Sequence, residues 1–185
     1  MSDICLITGG GRSGKSAYAE KLAKGTGGVL YIATGTACDE EMAERIERHK
    51  AARPKDWFTW EKQFGFSDIE NKYDADSFGT VLLDCVANLL MGILFEEIPD
   101  PDDFATEDFD RVEQAAMLEI EVLCDYAVKQ KKRLIIVTNE VGMGIIPETR
   151  YSRYYRDALG RINKHAAELS DYVVLMVAGI PLKLK

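Results

Sequence analysis

The sequence predicts an α/β fold, a three-layer domain built on a mostly parallel central sheet with an antiparallel strand at its C-terminal end. Three observations predict it. Short continuous apolar runs alternate with helical patterns along the chain, the signature of strands buried on both faces and joined by crossover helices. The first run, Ile4–Thr8, leads into Gly9-Gly10-Gly11-Arg12-Ser13-Gly14-Lys15-Ser16 and then a helical stretch over Ala17–Ala23. Near the C-terminus, the tight turn around Gly179-Ile180-Pro181 sends Leu182–Leu184 back beside the strand Tyr172–Val177.

The elements follow in order. Gly27-Gly28 ends the first helix, and Val29–Thr34 is the second strand. Asp39 is a suitable N-cap for a helix from Glu40 to Ala52, with Glu40 and Glu41 favourable in its first turn and Pro54 beyond its end. Trp57, Phe58 and Trp60 form a short edge strand or a loop held down by its aromatics. Gly65–Ser77 is irregular, with a short helix around Asp68–Tyr73. Thr80–Asp84 is a β-forming run closed by an acid, and Cys85–Phe95 is a mostly apolar helix. The acidic stretch Pro99–Asp110 reads as surface loop. A long helix covers Thr106–Gln130, with Phe109, Val112, Ala116, Ile120, Leu123 and Ala127 near one face and a basic run at its C-terminal end. Leu134–Thr138 is the fourth strand, 139–150 a loop with Gly142, Gly144 and Pro147, and Tyr151–Leu169 the last helix.

The chain has 185 residues, 46% apolar and 29% charged, which suits one globular domain over 1–185. The formal net charge is −8 and no broad basic stretch appears, so the composition argues against a nucleic-acid partner. Four scattered cysteines, Cys5, Cys38, Cys85 and Cys124, form no C-x-x-C pair and read as small buried groups in a reducing compartment. No apolar run is long enough to enter a membrane, and no basic leader precedes the first strand, so a cytoplasmic location is expected.

The glycine-rich segment is G-x-x-x-x-G-K-S, the P-loop pattern, in its proper strand–loop–helix setting. Such a loop curls backbone N–H groups around phosphate oxygens, its lysine reaches the β/γ-phosphates and its serine holds Mg²⁺. Gly9, Gly10, Gly11, Arg12, Ser13, Gly14, Lys15 and Ser16 are therefore the expected nucleotide-binding loop, within an NTPase-type domain. Asp84 closes its strand as a Walker-B acid does, at the sheet edge where ligands bind, and pairs with Ser16 as an expected Mg²⁺ ligand. Mg²⁺ brought in with the triphosphate is the only metal expected.

His165, in the last helix, reads as a surface or half-buried residue. His49 shares a helical face with Met42 and Ile46, with Arg45 and Arg53 each one turn away. Packing or capping accounts for that pattern; a neutral imidazole among cations can equally attack phosphorus. Spacing leaves both readings open.

Several segments together resemble the bifunctional adenosylcobinamide kinase / adenosylcobinamide-phosphate guanylyltransferase family of cobalamin synthesis. They are 8–16, Tyr31-Ile32-Ala33-Thr34, 39–50 including Arg45-Ile46-Glu47-Arg48-His49-Lys50, Arg53-Pro54 and Trp57. Leu83-Asp84-Cys85, the loop 137–147, the helix segment 154–163 and the tail 179–183 complete them. The resemblance implies two reactions. Adenosylcobinamide is phosphorylated on its aminopropanol hydroxyl by ATP or GTP. A histidine then takes GMP from GTP, releasing pyrophosphate, and passes it to adenosylcobinamide phosphate to give adenosylcobinamide-GDP. It implies that His49 is that nucleophile, that Lys15 and Asp84 serve phosphoryl transfer, and that members assemble as homotrimers. Thr34, Lys50 and Arg53 join the P-loop as expected nucleotide contacts, and Asn139 and Glu140 as possible contacts to metal, base or ribose. Two departures stand out: Arg48 occupies a position where some relatives carry a second histidine, and Asp84 one where some carry glutamate. A monofunctional kinase with a structural His49, and a nucleotide-switch or regulatory ATPase, are the rival readings.

Overall fold

The computed structural model describes residues 3–25, 27–36, 40, 44, 47, 50 and 53–185. Its strands are β1 (Asp3–Gly9), β2 (Val29–Ala33), β3 (Phe58–Glu61), β4 (Thr80–Asp84), β5 (Arg133–Val137), β6 (Tyr172–Val177) and β7 (Ile180–Lys183). Its principal helices are α1 (Lys15–Ala23), α2 (Ile69–Lys72), α3 (Val86–Glu97), α4 (Thr106–Lys129) and α5 (Arg150–Leu169). Glu40, Glu44, Glu47 and Lys50 are helical and exposed, in keeping with the helix expected over 40–52.

The described strands form one sheet in the order β3-β2-β4-β5-β1-β6-β7. Every neighbouring pair is parallel except β6 and β7. The mixed, mostly parallel sheet and its antiparallel last strand are thus as the sequence predicts. The reversal itself differs: it is made at Ala178-Gly179, and Ile180 and Pro181 already pair in β7. The aromatic segment contributes the edge strand β3, which begins at Phe58 just after Trp57 and is parallel to β2, and Trp60 is buried edge-on against Phe66 and Tyr73.

Continuous apolar runs make sense of the centre. Leu6, Ile7, Leu30, Ile32, Leu82, Leu83, Ile135 and Ile136 are all essentially inaccessible, as strands covered on both faces require. Helix α1 packs on β1, β4 and β5, while α3 lies against α4 and α4 against α5. The apolar stripe expected on α4 is buried at every named position. Its start is fixed by the Asp108 carboxylate, which accepts from the Ala105 N–H at 2.7 Å. The acidic stretch before it is exposed at Asp100, Asp102 and Asp103, but Phe104 turns inward against Phe109, Tyr151 and Tyr154. That aromatic cluster anchors the start of α5, which Thr149 caps by accepting from the Ser152 N–H at 3.1 Å.

Gly28 marks the closest backbone approach of a glycine outside the glycine-rich loop. Its φ is +94°, and a Cβ there would stand 2.8 Å from the Ser77 carbonyl oxygen. Its own carbonyl accepts from the Gly79 and Thr80 N–H groups, starting β4 beside β2. Gly28→Ala is expected to destabilise the protein by about 2–4 kcal/mol, through left-handed strain plus a clash with backbone. Equilibrium denaturation of the two proteins measures it.

Candidate active site at the carboxyl edge of the sheet

The parallel register aligns the strand ends. Glu61 pairs with Ala33, Ala33 with Asp84, Asp84 with Val137, Val137 with Ile7 and Ile7 with Val174. One row of residues therefore crosses the sheet just short of its carboxyl edge. Asp84 lies in that row two strands from β1, about 10 Å away at ordinary strand spacing. The glycine-rich loop leaves β1 two residues beyond the same row.

The loop is held from three sides. The Gly10 carbonyl accepts from the Ser13 N–H at 3.3 Å and from Lys15 Nζ at 2.7 Å. The Gly179 N–H donates to the Ser13 carbonyl at 3.0 Å, so the β6–β7 turn braces the loop. The Glu140 N–H donates to the Gly9 carbonyl at 2.9 Å, which ties in the segment after β5. Gly9 has φ +150°, and a Cβ there would lie 2.5 Å from the Met176 carbonyl oxygen and 2.8 Å from Ser13 Oγ. Glycine is required at this position by space as well as by conformation.

Lys15 and Ser13 are buried, Ser16 and Gly14 half-buried, and Gly10, Gly11 and Arg12 exposed. Ser13 Oγ is buried without a hydrogen-bond partner among the described residues. A buried hydroxyl left unpaired is costly, and an anion seated on the loop would satisfy it. Helix α1 begins at Lys15, two residues earlier than the pattern suggests, so its N-terminal amides and dipole face that position.

Asp84 is fixed by a neighbour that sequence reasoning did not single out as a site residue. The Tyr31 hydroxyl donates to Asp84 Oδ2 at 2.6 Å. Tyr31 is 2% exposed, stacks with Trp57 at 6.3 Å between ring centroids, and carries the Arg53 guanidinium 3.8 Å above its ring. Burial, then the neighbouring Asp84 charge and hydrogen bond, push the phenol far above its usual range, so it is a proton donor throughout the physiological interval. The available signal was a phenol inside an otherwise aliphatic strand, since a buried tyrosine needs a partner for its O–H.

Thr34 is fully buried, and its hydroxyl donates to the Cys85 carbonyl and accepts from the Cys85 N–H, each at 2.7 Å. It clamps the end of β2 to the end of β4. Cys85 itself is buried, its thiol pushed up to about 12, chiefly by burial and then by Asp84. Lys50 forms an exposed ion pair with Glu61 at 2.7 Å, which raises the lysine pKa and lowers that of the carboxylate. Arg53 therefore packs against the Asp84 side of the edge, while Lys50 is occupied at the end of β3. His49, and with it Arg45, Ile46, Arg48 and Met42, lies outside the described residues. So do Asp39, Glu41 and Cys38.

After β5, the Asn163 amide clamps the turn. Its Oδ1 accepts from the Thr138 hydroxyl at 2.6 Å and its Nδ2 donates to the Asn139 carbonyl at 3.0 Å. Glu140 Oε1 accepts from the Gly142 N–H at 2.6 Å, so one oxygen of that carboxylate shapes its own loop. His165 is half-buried and pairs with Glu121 at 2.8 Å, far in sequence from these loops. Among the described residues no group of three or more His, Cys, Asp or Glu side chains forms a metal cluster. No described helix is long and apolar enough to cross a membrane.

The cobinamide kinase / cobinamide phosphate guanyltransferase family model matches residues 5–184. The chain belongs to this family. It is an enzyme of this nucleotide-dependent kinase/guanylyltransferase group, and the match runs from within β1 through β7. A bifunctional adenosylcobalamin biosynthesis protein CobU of Escherichia coli K12 is 41% identical over 98% of this chain and 99% of its own length. The CobU of Salmonella typhimurium LT2 is 40% identical over 98% and 99%. The corresponding CobP of Pseudomonas aeruginosa is 36% identical over 97% and 96%. Among solved structures, a KaiC-like protein from Pyrococcus horikoshii aligns with 94% of this chain and 70% of its own, at 12% identity and a TM-score of 0.49.

Proposed function

We propose that the protein is a single P-loop NTPase-type domain, three layers thick, that carries out both family reactions on one corrinoid substrate. The observation that carries this reading is the common carboxyl edge, where Asp84 ends β4 in the same register row as Ile7 and the glycine-rich loop with Lys15 follows β1 just beyond that row, in a chain matched by the family over residues 5–184.

In the kinase step the amides of residues 9–14 and the Lys15 ammonium bind the β- and γ-phosphates of ATP or GTP, and Arg12 adds charge from the loop surface. The nucleophile is the aminopropanol hydroxyl of adenosylcobinamide. An O–P bond forms to the γ-phosphorus as the bond to the nucleoside diphosphate breaks, giving adenosylcobinamide phosphate. Phosphoryl transfer depends on positioning and charge neutralisation more than on covalent help, and these side chains supply both.

The residues present suit Mg²⁺. Ser16 offers a hydroxyl and Asp84 a carboxylate whose Oδ1 takes no hydrogen bond among the described residues, hard oxygen donors of the kind that ion prefers. When bound with the nucleotide, it neutralises phosphate charge. Among the described residues no group of three or more His, Cys, Asp or Glu side chains stands ready for a resident ion, and two protein oxygens suit one that arrives with its nucleotide.

In the second step the imidazole of His49 attacks the α-phosphorus of GTP. An N–P bond forms, the bond to pyrophosphate breaks, and GMP is held as a phosphoramidate. A phosphate oxygen of adenosylcobinamide phosphate then attacks that phosphorus, the N–P bond breaks, and adenosylcobinamide-GDP leaves. Splitting one displacement into two is the usual benefit of a covalent intermediate. Arg53 and Lys50 follow His49 closely in sequence and supply cations for the phosphates, Lys50 by leaving Glu61. Thr34 contributes by holding the β2 and β4 ends together. The protein works in the cytoplasm as a homo-oligomer, in keeping with a homotrimer.

The reading is tested by supplying adenosylcobinamide with ATP, then with GTP, and following the corrinoid products by chromatography. Sequential appearance of the phosphate and the GDP conjugate is expected. Phosphate alone, with GTP present, would leave a monofunctional kinase.

A further inference from the structure

Asp84 is the acid through which the proposed kinase site reaches its metal, yet a carboxylate at the end of a strand can rotate. Of its two oxygens, Oδ2 receives the Tyr31 hydroxyl at 2.6 Å, and Oδ1 takes no hydrogen bond among the described residues. Tyr31 cannot easily turn away. It is essentially inaccessible, with Trp57 stacked on it and Arg53 over its ring at 3.8 Å. The Arg53 Nε is itself buried without a hydrogen-bond partner among the described residues, so the ring face is a principal support of that guanidinium. The Thr34 hydroxyl, locked to both backbone groups of Cys85, fixes the β4 end from which Asp84 projects.

We infer that Tyr31 is a positioning residue: its hydroxyl selects the Asp84 rotamer that presents Oδ1 to the nucleotide-bound cation, while its ring sets the Arg53 guanidinium beside the same edge. The inference rests on the functional reading above. It assigns Tyr31 two separable tasks, because the hydroxyl serves the acid and the ring serves the arginine. An oriented second partner for a metal-ligating carboxylate raises affinity by reducing the freedom lost on binding.

Tyr31→Phe separates these tasks, removing the hydroxyl and keeping the ring. Mn²⁺ is used as the probe, titrated by electron paramagnetic resonance into wild-type and variant protein saturated with ADP. The variant is expected to bind Mn²⁺ about tenfold more weakly, the scale of losing an outer partner of a metal ligand. Its kinase kcat should fall at limiting Mg²⁺ and recover in part at high Mg²⁺, with the KM for nucleotide unchanged. In an Asp84→Asn background the same substitution should produce no further loss of Mn²⁺ affinity, since the hydroxyl acts through the carboxylate. Unchanged Mn²⁺ affinity in folded Tyr31→Phe, or full additivity with Asp84→Asn, overturns the inference. Should Tyr31→Phe not fold, the Mn²⁺ titration is run on Trp57→Leu, which loosens the stacked ring without touching Asp84. Weaker Mn²⁺ binding there supports the inference and wild-type affinity opposes it. Wild-type protein that neither binds Mn²⁺ with ADP nor phosphorylates the corrinoid would instead contradict the functional reading itself.

Discussion

Lys15→Ala is expected to lower the kinase rate by about a hundredfold or more, the scale on which a preorganised charge aimed at a transferring phosphoryl group contributes. The side chain is buried and its ammonium rests on the Gly10 carbonyl at 2.7 Å. It is therefore held at the loop, where a phosphate oxygen can take the place of that carbonyl. Removing it takes away that charge and one of the bonds that close the loop. The Ser13 N–H to Gly10 contact and the Gly179 brace on Ser13 remain, so the fold should survive. Steady-state kinetics with ATP and adenosylcobinamide give the rate, and a melting curve verifies the fold. A variant that keeps wild-type kcat would remove Lys15 from phosphoryl transfer.

His49→Ala is expected to abolish guanylyl transfer while most of the kinase activity persists. The two effects separate because the groups assigned to phosphoryl transfer, Lys15 and Ser16 on α1 and Asp84 on β4, are distinct from the imidazole assigned to the covalent step. The measurement is a paired assay of both steps on the same preparation. Equal loss of the two activities would point to a structural role for His49.

The sheet was legible because its signals were redundant. Each central strand is an uninterrupted apolar run, and burial on both faces leaves such a run few alternatives. The order of strand, glycine-rich loop and helix at the start of the chain was legible for a similar reason, since apolar run, glycines and helical pattern all agree. Asp84 could be placed at the end of its strand from its position after Leu83. What sequence spacing could not supply was the pairing across strands. Tyr31 and Asp84 are 53 residues apart, and only the β2–β4 register makes them neighbours. Asn163 clamps Thr138 and Asn139 from a helix that begins after an intervening loop, again a contact of tertiary origin. Phe104 sat in a stretch whose acidity suggested only surface, because composition averages over one inward side chain among exposed acids. The turn before β7 was displaced because Pro181, which lacks an N–H, is tolerated within an edge strand.

The central claim is that one chain joins P-loop phosphoryl transfer to a covalent guanylyl intermediate. It is tested most directly by intact mass after incubation with GTP and Mg²⁺, followed by peptide mapping. The account predicts a mass increase of one GMP, located on His49 and discharged when adenosylcobinamide phosphate is added. Protein that binds GTP yet acquires no adduct would contradict it, leaving a P-loop kinase in which His49 serves packing.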